Sequence, residues 1–323
     1  MNAIEVKGLT KTYRKGFLRR RVDAVHDIDF EVLQGEAFGF LGPNGAGKTT
    51  TMRMLMGLIA PTAGVARIFG HEIPSRKARQ RLGFLPEAPY FYDYLSVNEL
   101  LDFTGRLFGQ TPKERAKRGD ELIELVGLRD ARNSALKSYS KGMLQRAGIA
   151  QALMNDPDLV VFDEPMSGLD PIGRKDVRDI ILGLKEQGKT VFFSSHILSD
   201  VESVADRIAI IVRGKIHDVG RLRDIVSAQV GTEVVFDVSK LNDESEAKLR
   251  GRAEKSRHHN GELTAILGPE SDVDDYVRNG FDAGARLVSV SPVHETLEDV
   301  FVRAAEDGER EANAEAKEEE VSS

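Results

Sequence analysis

Short apolar runs separated by longer, helix-like segments dominate the first two thirds of the chain. The runs are Ala37–Leu41, Leu159–Phe162, Val191–Ser195 and Ile208–Val212. Continuous apolar runs of this length are typical of parallel strands that are covered on both faces. The pattern therefore predicts an α/β fold with a mixed sheet as its core.

Two segments near the N-terminus, residues 3–9 and 26–32, alternate between apolar and polar positions instead. Alternation predicts strands with one face towards solvent, so we expect an antiparallel β edge. Between Tyr94 and Asp156 the period becomes helical, with Ser96 as a helix cap and Gly127 as a helix end. This change predicts a helical subdomain over about residues 95–156.

The region after Gly231 predicts a small α+β domain of ferredoxin-like type. Its strand-like and helix-like segments alternate in the order 232–238, 243–252, 262–267, 272–278, 286–291 and 296–305. His258 and His259 fall between two of these segments, and we expect them in a solvated polar loop. The predicted domains are residues 1–220, the α/β domain, and residues 221–305, an accessory domain.

The last segment, residues 306–323, is predicted to be an acidic, disordered tail. Residues 306–320 contain eight acidic and two basic residues and few apolar ones. Such a composition cannot bury enough apolar surface to fold alone. Since the whole chain carries a formal charge of -7, its remainder is close to neutral.

This charge balance argues against nucleic acid as a partner, because no excess of basic residues is available to replace phosphate counterions. The one basic run, residues 14–21, is interpreted as a solvated loop or as a contact with membrane headgroups. The sequence has no cysteine, which excludes thiolate chemistry and argues against a zinc-binding site.

No apolar run approaches the roughly 18 residues of a membrane-spanning helix, and the N-terminus lacks the apolar core of a signal peptide. We therefore expect a cytoplasmic protein whose membrane role depends on a partner.

A phosphate-binding loop follows the first apolar run. The stretch "GPNGAGKT" matches G-x-x-x-x-G-K-[ST] directly after a predicted strand and before a predicted helix. Glycines let backbone N–H groups surround phosphate oxygens, the lysine reaches the β- and γ-phosphates, and the threonine hydroxyl binds Mg²⁺. The predicted ATP-binding residues of this loop are Gly42, Pro43, Asn44, Gly45, Ala46, Gly47, Lys48, Thr49 and Thr50.

Two acidic residues and one histidine follow later apolar runs. Asp163 and Glu164 directly follow the run that ends at Phe162. Two carboxylates at the end of a buried strand are costly unless they bind a cation or transfer protons. We assign Asp163 to Mg²⁺ and Glu164 to the attacking water as general base. His196 follows the run 191–195 and is predicted to reach the γ-phosphate.

A second anion site is predicted at Ser140, which precedes the helix-like stretch "KGMLQRAGIAQALM". Ser140 is a suitable N-cap, and the free N–H groups of the following turn attract anions. Because the first site already contains Lys48, Mg²⁺ and His196, we interpret the second as a site for the nucleotide of another subunit.

Taken in order, "GPNGAGKT", "YSKGM", "LVVFDEP", "SGLD" and "SSHIL" resemble the nucleotide-binding subunits of ABC transporters, over residues 4–220. The resemblance implies a P-loop ABC ATPase fold and a head-to-tail dimer, either a homodimer or a heterodimer. Each ATP would lie between the phosphate loop of one subunit and the signature helix of the other.

The resemblance also implies roles for individual residues. Tyr13 matches the aromatic residue that stacks on adenine, and Asp170 matches the loop that links the two sites. The signature acting in trans comprises Ser140, Lys141, Gly142 and Met143. This signature departs from the family's usual "LSGGQ", and a glutamate, Glu87, replaces the usual lid-loop glutamine as a third candidate Mg²⁺ ligand.

The aromatic stretch "PYFYDYL" contains Tyr90, Phe91, Tyr92 and Tyr94. In the family, this region receives the coupling helix of the membrane subunit, so we expect a permease to dock near Glu87–Tyr94. Ordinary packing within the helical subdomain is the alternative. The end of the accessory domain, "HETLEDVFVRAA", resembles an extension common in drug, polysaccharide and sodium exporters of a branch whose membrane subunits are separate chains.

The predicted function is therefore a cytoplasmic, membrane-peripheral ATPase that energises an exporter with ATP and Mg²⁺. One alternative is a soluble ABC ATPase that acts on ribosomes or DNA. Known proteins of this kind have either a long coiled-coil insertion or two ATPase halves in one chain, and the sequence shows neither feature. Another alternative is a regulatory module that does not hydrolyse ATP, and the presence of Glu164 and His196 argues against it.

Overall fold

The computed structural model describes residues 1–15, 20–226 and 229–321. It divides into a large unit, Met1–Leu222 with Phe301–Ser323, and a small unit, Arg223–Val300. Residues 16–19 of the basic run and residues 322–323 of the acidic tail lie outside the described residues. Each unit is compact in its own right.

The large unit contains two sheets and the helices that cover them. Its strands are β1 (Asn2–Lys15), β2 (Arg20–Leu33), β3 (Ala37–Leu41), β4 (Ala63–Ile68), β5 (His71–Glu72), β6 (Leu82–Leu85), β7 (Leu159–Phe162), β8 (Thr190–Ser195), β9 (Arg207–Val212) and β10 (Lys215–Arg221). Its helices are α1 (Lys48–Leu55), α2 (Arg76–Arg79), α3 (Val97–Leu107), α4 (Pro112–Leu125), α5 (Lys141–Ala152), α6 (Pro171–Glu186), α7 (Leu198–Glu202) and the short α8 (Leu222–Ile225), which begins at the unit boundary.

The central sheet has the strand order β10-β9-β3-β8-β7-β6. Strands β9, β3, β8, β7 and β6 are parallel, and β10 returns antiparallel to β9. β3, β7 and β8 are buried along their whole length, as the continuous apolar runs predict. Because the carboxyl ends of parallel strands lie at the same edge of a sheet, the segments that follow β3, β6, β7 and β8 meet there.

The alternating segments near the N-terminus form β1 and β2 of a separate antiparallel sheet, β2-β1-β4-β5, instead of an edge of the central sheet. Phe30 of β2 packs on Phe38 and Phe40 of β3 and on Phe192 of β8, with ring centroids 5.5–6.0 Å apart. The separation into two sheets follows from this core, because the apolar face of β2 packs on the central sheet and leaves the polar face to solvent.

The predicted helical region contains α3, α4 and α5. Ser96 caps α3 and Thr111 caps α4, each in a reciprocal capping box with the glutamate three residues later. Helix α4 ends at Leu125, and Gly127 follows with a φ of 63°. Glycine tolerates this left-handed conformation, so it terminates the helix as the sequence predicts.

The small unit contains β11 (Gln229–Asp237), α9 (Asp243–Arg250), β12 (Lys255–His259), β13 (Glu262–Leu267), α10 (Val273–Asp282), β14 (Arg286–His294) and the start of α11 (Leu297–Val321). Its antiparallel sheet has the order β12-β13-β11-β14. The chain order β-α-β-β-α-β with this sheet order is the ferredoxin-like topology. The prediction of a polar loop at His258 and His259 was wrong, because both lie in β12.

Strand β12 escaped prediction because every one of its residues is exposed, so it carries no alternation of apolar and polar positions. Among the described strands, β13 is its pairing partner, and β12 forms the edge of the sheet. His258 is hydrogen-bonded through Nδ1 to Glu246 Oε1 at 2.7 Å.

Helix α11 differs from the predicted disordered tail, because it continues through Val321. Its sequence after Ala305 consists mainly of glutamate, alanine, lysine and arginine, which are strong helix formers even without an apolar face. Within the large unit, Ala304 is buried and Gly308 lies against Val212 of β9.

No helix within the described ranges is both long enough and apolar enough to span a bilayer.

Candidate functional site

The phosphate loop connects β3 to α1 at the carboxyl edge of the central sheet. Gly45 and Gly47 have φ values of 83° and 110°, which only glycine adopts easily. A Cβ on Gly47 would lie 2.5 Å from the carbonyl oxygen of Ala24, whereas a Cβ on Gly45 would meet nothing within 4 Å. Gly47 is thus required by the fold, and Gly45 leaves the loop backbone open to a ligand.

Helix α1 begins at Lys48 without a side-chain cap on its first turn. The N–H groups of this turn are therefore available to an anion, and the helix dipole favours negative charge at the same point. The loop and the helix end together provide the geometry that binds phosphate groups.

Lys48 is a buried cation at the centre of the site. Its Nζ donates to the carbonyl oxygens of Gly42 and Pro43 at 2.5 and 3.1 Å, and it lies 3.1 Å from Glu164 Oε1. Glu164 Oε1 is buried and has no hydrogen-bond partner among the described residues, so the ion pair lacks the alignment of a hydrogen bond. This oxygen can still accept a bond from a ligand or a water molecule.

The two acidic residues after β7 are fixed by a serine of the neighbouring strand. Asp163 and Glu164 are almost fully buried. The Ser194 hydroxyl of β8 donates to Asp163 Oδ1 at 2.7 Å and accepts from the backbone N–H of Glu164 at 2.8 Å. The parallel pairing of β7 and β8 therefore determines where both carboxylates lie.

His196 follows β8 and meets Glu164 directly. His196 Nδ1 lies 2.8 Å from Glu164 Oε2, so the ring donates to the carboxylate when Nδ1 carries the proton. This bond leaves Nε2 free for a phosphate oxygen. Glu164 has a φ of 49°, and such a conformation in a non-glycine residue costs about 1–3 kcal/mol. Strain of this kind is concentrated at functional sites.

A cavity of about 290 Å³ lies above these groups. Its lining residues are Ala24, Pro43, Asn44, Gly45, Gly47, Lys48, Thr49, Thr50, Glu87 and Glu164. The structure thus brings most of the predicted loop together with Glu87 and Glu164, although Glu87 and Glu164 follow different strands. The lining of this cavity does not include Tyr13, Asp163 or His196.

The donor set fits Mg²⁺. Thr49 and Glu87, which line the cavity, have a hydroxyl and a carboxylate side chain, and Asp163 lies directly before Glu164 in the chain. Among the residues that the structure describes, no three His, Cys, Asp or Glu side chains converge into a closed metal site. This arrangement suits Mg²⁺, which usually binds one or two protein oxygens and completes its shell with phosphate oxygens and water.

Tyr13 lies on β1, opposite Val22 of β2, and is half-buried. Lys11 Nζ lies 5.3 Å from the centre of its ring. The assignment of Tyr13 to adenine stacking stays a prediction.

A second cavity, also of about 290 Å³, surrounds the predicted signature. Its lining residues are Ser140, Lys141, Gly142, Arg146, Gly168, Leu169, Asp170, Ile172, Gly173 and Asp176. Within the described part of the chain, it shares no lining residue with the first cavity. The residues predicted to act on a partner's nucleotide, except Met143, are therefore grouped together and apart from the phosphate loop.

Two helix starts face this second cavity. Ser140 Oγ caps α5 by accepting from Met143 N at 3.3 Å, and Asp170 Oδ1 caps α6 by accepting from Gly173 N at 2.8 Å. The Lys141 side chain is exposed, and its ammonium group lies against Gly168. The site thus has two helix N-termini and two cationic side chains, Lys141 and Arg146.

The aromatic stretch after Glu87 is largely on the surface. Tyr90, Tyr92 and Tyr94 are 94%, 54% and 69% exposed, and only Phe91 is half-buried, where it packs towards Gly148 of α5. The Tyr92 ring contacts Tyr94 and, edge to face, Phe103 of α3. We call these four exposed residues, Tyr90, Tyr92, Tyr94 and Phe103, the aromatic surface.

Sequence reasoning missed several residues of the site. Ala24 comes from the antiparallel sheet, Ser194 was treated only as part of an apolar run, and Asp200 of α7 was not considered. No local motif distinguishes Ala24. For Ser194, a serine within a buried strand next to the acidic pair was the available signal.

Comparison with known proteins provides independent findings. The family model described as ABC transporter matches residues 25–167. An uncharacterised ABC transporter ATP-binding protein of Synechocystis is 44% identical over 312 residues, which cover 94% of this chain and 84% of that protein. The bacitracin transport ATP-binding protein of Bacillus licheniformis is 35% identical over 321 residues, which cover 93% of this chain and 96% of that protein.

Among solved structures, a dimeric ATP-binding cassette in a post-hydrolysis state, bound to ADP and phosphate, matches with a TM-score of 0.62 and 26% identity. The match covers 68% of this chain and 99% of the cassette. The fold of the cassette is thus present within the larger part of this chain.

Proposed function

The chain belongs to the ABC transporter family as an ATP-binding subunit, and we propose that it hydrolyses ATP to power an exporter whose membrane subunits are separate chains. The observation that carries this proposal is the division of the site into two cavities without a common lining residue. The phosphate loop lines one cavity, and Ser140 and Asp170 line the other. Each cavity supplies donors for only part of a triphosphate.

Two copies of the chain, or one copy and a close relative, would complete both sites by pairing head to tail. The first cavity of one subunit then faces the Ser140 cavity of the other, with one ATP between them. Exposed Ile172, beside Asp170, supplies an apolar contact at this face. The dimeric form of the similar ATP-binding cassette supports this arrangement.

Within each site, the residues have distinct roles. The loop N–H groups, Lys48 and the first turn of α1 hold the β- and γ-phosphates. Glu164 accepts a proton from the attacking water, and His196 holds the water and the γ-phosphate in line. Thr49, Asp163 and Glu87 would hold Mg²⁺, which neutralises phosphate charge when bound.

Hydrolysis would then separate the subunits, because the triphosphate that joins the two half-sites has been cleaved. ATP binding closes the dimer and hydrolysis reopens it, which gives two states whose difference can drive a membrane partner.

The membrane partner is proposed to dock on the aromatic surface. Exposed aromatic side chains at this density are typical of protein interfaces. Their position directly after Glu87 would connect the docked partner to the ATP cavity. Docking there would hold the chain at the cytoplasmic face of the membrane. Because the bacitracin transport protein is similar over nearly the whole chain, a bacitracin-like compound is the proposed class of cargo.

The test is the Glu164→Gln variant. Loss of the general base should lower steady-state hydrolysis by roughly a hundredfold or more without preventing ATP binding. The variant with ATP should then accumulate as a closed dimer, measured by light scattering. The wild type with ADP is the control and should remain monomeric. An ATP-bound variant that stays strictly monomeric, alone and with its membrane partner, would contradict the proposed mechanism.

A further inference from the structure

Asp200 is a buried carboxylate to which the proposed reaction gives no role. It lies in α7, four residues after His196, and only 7% of it is exposed. A buried carboxylate is costly unless a cation or a hydrogen bond compensates it. Its surroundings therefore indicate why the fold retains it.

The cation nearest to Asp200 comes from the helix that begins at the second cavity. Arg174 of α6 places Nη1 3.8 Å from Asp200 Oδ1. The Arg174 backbone N–H donates to the carbonyl oxygen of Asp170, the cap of the same helix, at 2.9 Å. Arg174 is thus one turn from the residue that is proposed to link the two sites of the dimer.

Arg174 Nε is buried and makes no hydrogen bond within the described residues. Its guanidinium therefore contacts Asp200 only at ion-pair distance, through Nη1, and Nε is left without a hydrogen bond.

The segment that carries Asp200 is anchored to the central sheet. Val201 packs on Gly39 of β3 so closely that a Cβ on Gly39 would lie 2.9 Å from it. The Ser195 hydroxyl accepts from the Ile197 backbone N–H at 2.9 Å, which fixes the turn at His196. Asp200 and His196 thus lie in one short segment that is held to the central sheet.

We infer that Asp200 is a positioning residue for hydrolysis. Its ion pair with Arg174 connects the turn of His196 to the helix capped by Asp170. This connection keeps the Glu164–His196 pair in a fixed position relative to the interface loop. This inference rests on the proposed function. It adds a connection between the catalytic pair and the dimer face that passes through an ion pair within one subunit.

The charge of Asp200 supplies a readout that simple packing would not. Burial raises the pKa of Asp200 above its ordinary value of 3.8. The charged or titratable groups that act on it are Arg174 and Arg178 of α6, Glu164 after β7 and His196 after β8. As the pH falls through this raised pKa, Asp200 gains a proton and its attraction for Arg174 is lost.

The experiment measures steady-state ATP hydrolysis of the purified full chain with MgATP, as a function of ATP concentration and pH. The variants are Asp200→Asn, Arg174→Ala, Arg174→Lys and the double variant that combines Asp200→Asn with Arg174→Ala. Asp179→Asn, an exposed change on the same helix, is the matched control. Thermal unfolding of each variant is measured in parallel.

Asp200→Asn should lower kcat about tenfold, with the KM for ATP unchanged within about twofold, because the reacting groups are misplaced and not removed. Arg174→Ala should have a similar effect, the double variant should add little to either, and Arg174→Lys should retain more activity than Arg174→Ala. The ratio of wild-type to Asp200→Asn activity should be largest near neutral pH and should fall towards acid pH.

Additive effects of the two substitutions, or a ratio that does not change with pH, would overturn the inference. So would an Asp200→Asn variant with wild-type kcat. If Asp200→Asn does not fold, the Arg174 variants decide by the same kinetic criteria. Loss of hydrolysis in Glu164→Gln together with normal activity in Asp200→Asn would refute this inference alone. A wild type without any hydrolysis, with or without membrane partner, would refute the proposed function as well.

Discussion

Ser194 holds Asp163 in place from the neighbouring strand, with 2.7 Å between the serine hydroxyl and Oδ1 of the carboxylate. The same hydroxyl accepts the backbone N–H of Glu164. One buried side chain therefore positions the proposed Mg²⁺ ligand and the backbone of the proposed general base. The two acidic residues cannot move independently of β8.

The Ser194→Ala variant should consequently lose both stability and activity. It leaves a buried N–H and a buried carboxylate oxygen without a partner, which should lower the free energy of unfolding by about 1–3 kcal/mol. ATP turnover should fall as Glu164 loses its fixed backbone. Chemical denaturation and steady-state kinetics measure the two effects. In the control, Ser138→Ala, the hydroxyl is exposed, and a change within about 0.5 kcal/mol is expected. Equal stability of both variants would contradict this account.

The Gly47→Ala variant should destabilise the phosphate loop. Its φ of 110° strains any residue with a Cβ by about 1–3 kcal/mol, and the new atom would meet the Ala24 carbonyl oxygen. Nucleotide affinity, measured by titration calorimetry, should fall with the stability. Gly183→Ala is the control, because Gly183 is helical and a Cβ there meets nothing within 4 Å. This variant should gain about 1 kcal/mol. Normal nucleotide affinity in Gly47→Ala would show that the loop tolerates a different backbone.

Substitutions on the aromatic surface should weaken binding to the membrane partner without changing ATP binding. A Tyr92→Ser, Tyr94→Ser double variant should bind its membrane partner roughly tenfold or more weakly, since buried aromatic side chains provide much of the energy of protein interfaces. ATP affinity of the isolated chain should not change. Co-purification with the membrane subunits and equilibrium ATP binding are the two measurements. Phe281→Ser, which removes an equally exposed aromatic residue of the small unit, should leave both unchanged. Undiminished co-purification of the double variant would place the docking site elsewhere.

Glu36 should make stability depend on pH in a predictable direction. Burial raises the pKa of Glu36 above its ordinary value of 4.5, against the opposing effects of the Leu33 N–H and Arg207. Its contribution to stability is therefore complete below pH 4.5 and is lost as the pH rises through the raised pKa. The Glu36→Gln variant lacks this loss, so its melting temperature relative to wild type should increase from pH 4 to pH 7.

Glu114 provides a control of opposite sign. Hydrogen bonds from the Thr111 backbone N–H and hydroxyl lower the pKa of Glu114 below 4.5. Its contribution is present above pH 4.5 and is lost as the pH falls through the lowered pKa. The melting temperature of Glu114→Gln relative to wild type should therefore decrease as the pH rises. The same slope for both variants would contradict the assigned causes.

The features that depend on local chemistry could be predicted from the order of the residues. The buried strands β3 and β7 begin and end where their apolar runs do, and Ser96, Ser140 and Asp170 cap helices because their side chains accept N–H bonds from the next turn. The glycine loop, the acidic pair and the histidine after β8 were identified because each needs a particular residue type at a fixed distance along the chain. These signals require no knowledge of strand order.

The way in which distant segments combine became visible only in the folded chain. Ala24 reaches the cavity because the antiparallel sheet packs on the central sheet, and Ser194 meets Asp163 because β7 and β8 are neighbours. β12 forms by pairing with β13 although its own side chains are all exposed, and Asp200 finds Arg174 only when α6 and α7 pack. Strand order and helix packing arise from the burial of many apolar side chains together, and no single stretch of sequence encodes that sum.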